Sequence, residues 1–377
     1  MSNEVSCSNK RCWSEIDLDA LGHNAGAVAA HIGDRAGILA VVKADAYGHG
    51  LTEVARELAS RVRMFGVANV AEARELRAAV PAARVLLLSP ALPAERAEIV
   101  AGGFEPAISS VAEAVAFGAA ASCAQPVPVH LVVDTGMGRM GIWEGEAVGA
   151  FRRIREIPGV RVVAVATHLP CADEDDAFTA AQLSRYAALV TALRAIDPTL
   201  EISHALNSAG LIRYRAHAPD LVRAGLVLYG ESPLPDFREV LRPVLAMKSR
   251  VGLVRDLGPG RGICYGRTYV TTRPTRAATV CAGYADGYPR QLSGRGAEVL
   301  IRGRRCALLG RVTMDQIVVD ATGVEGVEPG DEVVLLGRQG DEEITAVDLA
   351  ARAGTIPWEI FTGMQCRDGR MALRKER

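Results

Sequence analysis

The 377-residue chain is longer than one typical domain of about 150 residues, which gives room for roughly two domains and a large core. Its composition, 49% AVILMFWYC, is that of a packed globular protein, and a formal net charge of -1 excludes general electrostatic attraction to nucleic acid or anionic lipid. A small, neutral or zwitterionic partner is expected instead.

Residues 1–10 carry no apolar signal core, and no run approaches the ~18 apolar residues a membrane span needs, so no membrane association and a cytoplasmic location are expected. The eight cysteines (Cys7, Cys12, Cys123, Cys171, Cys264, Cys281, Cys306, Cys366) form no CxxC pair and no cysteine–histidine ladder. That argues against a zinc or other metal site and against a disulfide framework, and the cysteines are expected to be reduced.

In chain order, Arg11–Leu18 reads as an extended segment. From Ile38 to about Gly230 one pattern repeats: a short apolar strand, a loop, then an alanine-rich amphipathic helix. The strands expected are Ile38–Val42, Met64–Ala68, Arg84–Leu88, Glu105–Ile108, Val127–Val133, Val160–Ala166, Glu201–Ala205 and Leu221–Arg223. Eight such units in about 190 residues predict an α/β fold with a closed (β/α)8 TIM-like barrel. The competing open doubly wound sheet would be favoured by a GxGxxG turn after the first strand, and that turn is absent. Beyond Arg242 the texture changes to short Val- and Ile-rich segments between glycine-containing turns, at Ala277–Cys281, Glu298–Ile301, Ile317–Val319 and Glu332–Leu336, with a helical pattern only at Thr345–Ala353. A second, mostly β domain is expected. The boundaries predicted are 1–242 for the barrel, with 1–18 packing on the second domain, and 243–377 for the β domain.

The run Ile38–Val42 ends on Lys43, followed at once by the polar, glycine-containing segment Ala44–Gly50. An amine at a buried strand end is disfavoured as ammonium, and a free amine forms a Schiff base with an aldehyde such as that of pyridoxal phosphate. A surface lysine at a loop edge would fit the same local pattern. Other strand ends are also polar: Asp134-Thr135-Gly136-Met137-Gly138-Arg139, Thr167-His168, Asn207-Ser208, and Arg223 with Gly225 and Leu226. In a barrel the C-terminal strand ends carry the chemistry. A lysine, a histidine and two arginines there, without a matching carboxylate cluster, point to an anionic ligand, with Ser208 and the backbone around Gly225 suited to a phosphate. Taken singly, Ser208 also reads as a helix N-cap and His168 as a core histidine.

These residues resemble those of the alanine racemase family. The resemblance runs from Trp13-Ser14-Glu15-Ile16-Asp17-Leu18, through Val42-Lys43-Ala44-Asp45-Ala46-Tyr47-Gly48-His49-Gly50, Asp134–Arg139, Asn207-Ser208-Ala209, Tyr265-Gly266-Arg267-Thr268, Gly283–Arg290 and Met314-Asp315-Gln316, to Gly354-Thr355-Ile356-Pro357-Trp358-Glu359. It implies a pyridoxal 5'-phosphate-dependent isomerase that interconverts L- and D-alanine for peptidoglycan, as a homodimer with shared active sites. By the same resemblance Lys43 is the Schiff-base lysine and the base on the D-face, and Tyr265, supplied by the second subunit, is the base on the L-face. Arg223 faces the pyridine nitrogen, and His168 bridges Tyr265 to Arg223, a network that would lower the tyrosine pKa. Tyr47, Asn207, Ser208, Gly225, Leu226 and Trp358 are implied around the cofactor. Arg139 is implied at its phenolic oxygen and at the substrate, and Met314 and Asp315 at the substrate carboxylate.

Three positions depart from the family pattern. Val132 stands where many members carry a carbamylated lysine that holds the arginine equivalent to Arg139, so a bound anion, a water or looser order is expected there. Trp358 replaces a tyrosine, and an indole N–H donates but cannot accept. The basic end from Arg367 lacks the family's Arg-x-Pro-Arg ending and is expected to be solvated. Racemisation of serine, a non-catalytic cofactor carrier and an inactive homologue are the alternatives. The carrier would leave residues 243–377 and Tyr265 without a purpose.

Overall fold

The structure, a computed structural model, describes residues 9–122 and 124–374. Cys7, Cys123 and most of the 1–10 segment lie outside the described residues. The chain divides into two compact units. One comprises Ala20–Ala46 and Leu51–Arg242; the other comprises the N-terminal segment through Asp19, the loop Tyr47–Gly50, and Pro243 onward.

In the first unit eight parallel strands close on themselves: Gly37–Val41, Met64–Val67, Val85–Leu87, Glu105–Ile108, Val127–Asp134, Val160–Ala166, Ile202–His204 and Leu221–Ala224. The first strand pairs with the second and the eighth, and the fourth pairs with the fifth, so the parallel circuit is complete. This is the (β/α)8 barrel that the repeating pattern predicts. Most of these strands are buried at nearly every position, as expected where helices cover the outside and side chains fill the inside. Helix starts are set by short polar caps. Asn69 accepts from Glu72 N, Ser110 from Glu113 N and Asp175 from Phe178 N, each satisfying an otherwise unpaired backbone donor.

The second unit is mostly sheet. Its main path runs Arg304–Ala307, Glu298–Ile301, Glu332–Gln339, Leu245–Leu257, Cys12–Asp17 and Arg370–Leu373. Thr275–Val280 branches from Leu245–Leu257 and pairs in turn with Ile317–Asp320. Thr345 caps the helix Ala346–Ala353 with a capping box to Asp348. Cys12–Asp17 is a strand of this sheet, antiparallel to Leu245–Leu257 and parallel to Arg370–Leu373.

Two features differ from the sequence reading. Leu245–Leu257 is one 13-residue strand. Its ladder with Thr275–Val280 shifts register between Val251 and Leu253, and a Cβ at the intervening Gly252 would fall 2.7 Å from the Cys281 sulfur. The bulge breaks the period-2 pattern that would have revealed the strand. The basic end is exposed, as expected, but it is tied down: Arg370–Leu373 is paired, and Arg367 clasps Asp286 with two hydrogen bonds of 2.7 and 3.0 Å and reaches Asp315 at 2.8 Å. A carboxylate pair supplies partners that the local sequence does not display. Residues 375–377 lie outside the described residues.

Trp13 anchors the sheet unit. It is 1% exposed, its indole N–H donates to Glu15 at 2.9 Å, and the Arg250 guanidinium lies over its ring. Trp13→Ala should cost about 3–5 kcal/mol, read as a lowered denaturant midpoint; a change below about 1 kcal/mol would show that this side chain is not a core element.

Candidate active site

Lys43 stands two residues beyond the first barrel strand, and the chain there does something rare for non-glycine residues. Ala44, Asp45, Ala46 and Tyr47 have φ of 53°, 54°, 52° and 56°, a left-handed turn. L-residues disfavour this by about 1–2 kcal/mol each, so other interactions must hold it. The Glu72 carboxylate does so from the helix Val70–Ala79, accepting from Ala44 N at 2.8 Å and from Ala68 N at 2.7 Å. Asp45 accepts from Leu51 N at 2.8 Å. Glu72 is a site residue the sequence reading missed, although its capping spacing from Asn69 was visible. Burial holds the Lys43 amine below the ordinary lysine pKa, Arg139 and Arg223 push it further down, and Glu72 opposes them.

Arg223, on the eighth strand, is buried, and both of its terminal nitrogens are hydrogen-bonded. Nη1 donates to His204 Nδ1 at 2.9 Å. Nη2 donates to the carbonyls of Thr167 and Ala205, both at 2.7 Å, and lies 2.9 Å from His168 Nδ1. Burial lowers its pKa to about 10, so it remains a cation. A guanidinium only donates, so the contact requires His168 Nδ1 to accept and places the proton of the neutral ring on Nε2. Burial first, then Arg223, Arg139 and Lys43, lowers the His168 pKa to about 3. Lys43, His168 and Arg223 thus belong to one electrostatically coupled group at the strand ends.

The loop carrying Arg139 is wound on Asp134. One carboxylate oxygen accepts from Gly136 N and Met137 N and the other from Gly138 N, all at 2.9 Å. Gly136 and Gly138 adopt φ of 145° and 70°, which suits glycine. The Arg139 side chain is exposed and, among the described residues, makes no hydrogen bond or ion pair. Val132 supplies no polar atom to hold it. At the seventh strand end, Asn207 rather than Ser208 is the N-cap: it accepts from Gly210 N at 2.9 Å and donates to Leu169 O at 3.1 Å. Ser208 is buried and accepts from Gly225 N at 3.3 Å, which ties it to the eighth-strand turn with Gly225 and Leu226.

The remaining candidates lie in the sheet unit. Tyr265 is 73% exposed, in a turn where Cys264, Gly266 and Arg267 all have positive φ, an accumulation of strain of the kind found at functional loops. Met314 and Asp315 are also exposed, in a separate turn buttressed by Gly283, where a Cβ would fall 2.2 Å from the Met314 carbonyl. Tyr47 is buried, and its hydroxyl pKa is pushed up to about 12 by that burial. Trp358 is partly exposed in the helix Pro357–Gly363, its carbonyl accepting from the Thr362 hydroxyl at 2.9 Å. Among the described residues there is no cluster of His, Cys, Asp and Glu able to hold a metal ion, and no helix is long and apolar enough to cross a membrane.

Comparison with known proteins gives consistent relatives. A family model described as alanine racemase, N-terminal domain, matches residues 16–233, and one described as alanine racemase, C-terminal domain, matches residues 244–372. The alanine racemase of Symbiobacterium thermophilum is 42% identical over 360 residues, 94% of this chain and 95% of that protein. That of Halothermothrix orenii is 39% identical over 360 residues, again 94% and 95%. The solved alanine racemase structure from Clostridium difficile 630 superposes with a TM-score of 0.91 at 32% identity, covering 97% of this chain and 96% of that one.

The two histidines bonded to Arg223 make stability pH-dependent. His168 and His204 have folded pKa values below their ordinary 6.5, so their contribution is complete above pH 6.5 and is lost as pH falls, when the unfolded chain binds protons that the native state refuses. Denaturant midpoints measured from pH 9 to pH 5 should fall below about pH 6.5. A midpoint that rises over pH 7 to 5 would show instead that these rings are charged in the fold.

Proposed function

The chain belongs to the alanine racemase family, and from that premise we propose that it interconverts L-alanine and D-alanine with pyridoxal 5'-phosphate, using Lys43 and Tyr265 as its two bases. The observation that carries this reading is the Lys43 amine, held below its ordinary pKa in the same coupled group as the buried Arg223 cation and the neutral His168. The donor set suits the cofactor: an amine for its aldehyde, a cation for its ring nitrogen, and a hydroxyl beside backbone N–H groups for its phosphate.

When bound, the cofactor supplies an electron sink for the pair left on the substrate α-carbon. Racemisation needs a proton removed from one face of that carbon and returned on the other. The Lys43 amine, in its unprotonated form, serves one face. The Tyr265 hydroxyl, carried on the exposed turn of the sheet unit, serves the other from the second subunit of a homodimer. With Nδ1 of His168 committed to Arg223, its Nε2–H is left as a donor, the polarity that a tyrosine oxygen gaining negative charge requires. A permanent cation at Arg223 disfavours protonation of the ring nitrogen, which weakens the sink and limits side reactions.

Tyr47, Ser208 and the N–H groups of Gly225 and Leu226 would hold the phosphate, with Trp358 donating from its indole. Asn207, whose amide is spent on backbone, positions Ser208. Arg139 would meet the phenolic oxygen and the substrate carboxylate, with Met314 and Asp315 of the second subunit on the carboxylate side. Supply of D-alanine for peptidoglycan in the cytoplasm completes the proposal.

The visible spectrum of the purified protein, followed by L-alanine and a coupled assay for D-alanine, tests it; bound cofactor without any turnover of alanine overturns it. Lys43→Ala should lose cofactor absorbance and activity together, whereas Tyr265→Phe should keep the absorbance and lose about 10²–10⁴ in rate. Coexpressed Lys43→Ala and Tyr265→Phe chains should regain about a quarter of the wild-type rate, since a random mix forms heterodimers with one intact site each. No regain would exclude sites shared between subunits.

A further inference from the structure

Arg223 is one end of a buried hydrogen-bond chain that crosses the barrel interior. Its Nη1 lies 2.9 Å from His204 Nδ1, His204 Nε2 lies 2.8 Å from His130 Nδ1, and His130 Nε2 lies 3.0 Å from a Glu105 carboxylate oxygen. Arg84 closes the far end on Glu105 with two hydrogen bonds of 2.8 and 2.9 Å. Glu105 opens the fourth strand and Arg84 directly precedes the third, at the N-terminal end of the barrel, opposite the strand ends that carry Lys43, His168 and Asn207. His130, His204, Glu105 and Arg223 are all buried. The buried Tyr186 hydroxyl nearby donates to the Val165 carbonyl at 2.8 Å and accepts from His204 N at 3.2 Å, so it engages backbone and neither imidazole.

The two ends dictate the direction of every proton between them. A guanidinium can only donate, so His204 Nδ1 must accept and the proton of that ring sits on Nε2. That N–H donates to His130 Nδ1, which places the His130 proton on Nε2, where an ionised carboxylate accepts it. Reversing either ring, or protonating it, sets N–H against N–H in a dry interior. Against the cost of burial, the hydrogen bonds from His130 and then from Arg84 keep the acceptor end ionised, lowering the Glu105 pKa to about 2.

We propose that Glu105 is a positioning residue for the catalytic mouth, fixing the tautomers of His130 and His204 and thereby the acceptor that holds the Arg223 guanidinium in place. The inference rests on the reading of Arg223 as the cofactor-facing cation, but its first test does not. Glu105→Gln is the informative change. Arg84 captures the amide oxygen, the amide NH₂ turns to His130 Nε2, and the reversal propagates until His204 presents N–H to Arg223. Adding Arg84→Met releases the amide oxygen to face His130 and restores the original direction without restoring the charge.

The experiment is nitrogen NMR of histidine-labelled protein, with and without cofactor, alongside steady-state kinetics. In the wild type both rings should be Nε2–H tautomers at neutral pH, with His204 held well below its ordinary pKa by burial and then by Arg223. Glu105→Gln should shift or mix the His204 tautomer and lower kcat by about ten- to a hundredfold with KM for alanine little changed, the scale of one lost hydrogen bond to a charged group. Glu105→Gln/Arg84→Met should return both the tautomer and most of kcat, which a role in stability alone would not produce. An Nδ1–H His204 in the wild type, or a Glu105→Gln protein with unchanged tautomers and kcat, overturns the proposal. If Glu105→Gln does not fold, the wild-type tautomers and the double variant decide it. Correct tautomers in a protein that does not racemise alanine would uphold the relay and refute the assigned activity.

Discussion

Arg223 sets the terms for the barrel interior. A cation this deeply buried is tolerable only if its N–H groups meet acceptors, because an uncompensated charge away from water costs several kcal/mol. The acceptors come from the ends of the sixth and seventh strands: the Thr167 carbonyl and His168 on one side, the Ala205 carbonyl and His204 on the other. They converge when the sixth, seventh and eighth strands lie side by side in parallel register. Together with burial, the larger cause, the charge holds His168 and His204 below the ordinary imidazole pKa, and it adds to the lowering of the Lys43 pKa. One residue therefore links barrel closure to the electrostatics of the mouth.

Lys43 is held by a different device. The left-handed turn at Ala44–Tyr47 is unfavourable for every residue in it, and it persists because Glu72 and Asp45 bind its backbone and the turn's flank. Such strain is commonly stored where a side chain must be presented in one direction. Glu72 also brings a negative charge near Lys43, so the mouth is less uniformly cationic than a list of strand-end residues suggests.

What was legible in the chain follows from how local each signal is. Glu105–Ile108 and Val160–Ala166 were readable to the residue because an apolar run bounded by turn residues is a local pattern. The strand Leu245–Leu257 was not, because its outer half is exposed and a bulge at Gly252 breaks the alternation. The paired state of Arg367 was hidden because its partners, Asp286 and Asp315, lie 81 and 52 positions away. His130, His204 and Glu105 were passed over because each sits within a strand whose apolar neighbours determine the reading, and a polar residue facing a barrel interior looks locally like any interruption.

The sequence by itself determined the sequence of elements, the change of texture after Arg242 and the motifs that place the chain in its family, since all of these depend on side-chain order and short-range periodicity. Only the tertiary structure decided which atoms meet: that Asn207 rather than Ser208 caps its helix, that Asp134 winds the Arg139 loop, and that Arg223 joins Glu105 through the imidazoles of His204 and His130. The physical reason is that hydrogen-bond direction and desolvation are properties of a three-dimensional neighbourhood. Residues 19 to 74 positions apart become neighbours only when the barrel closes.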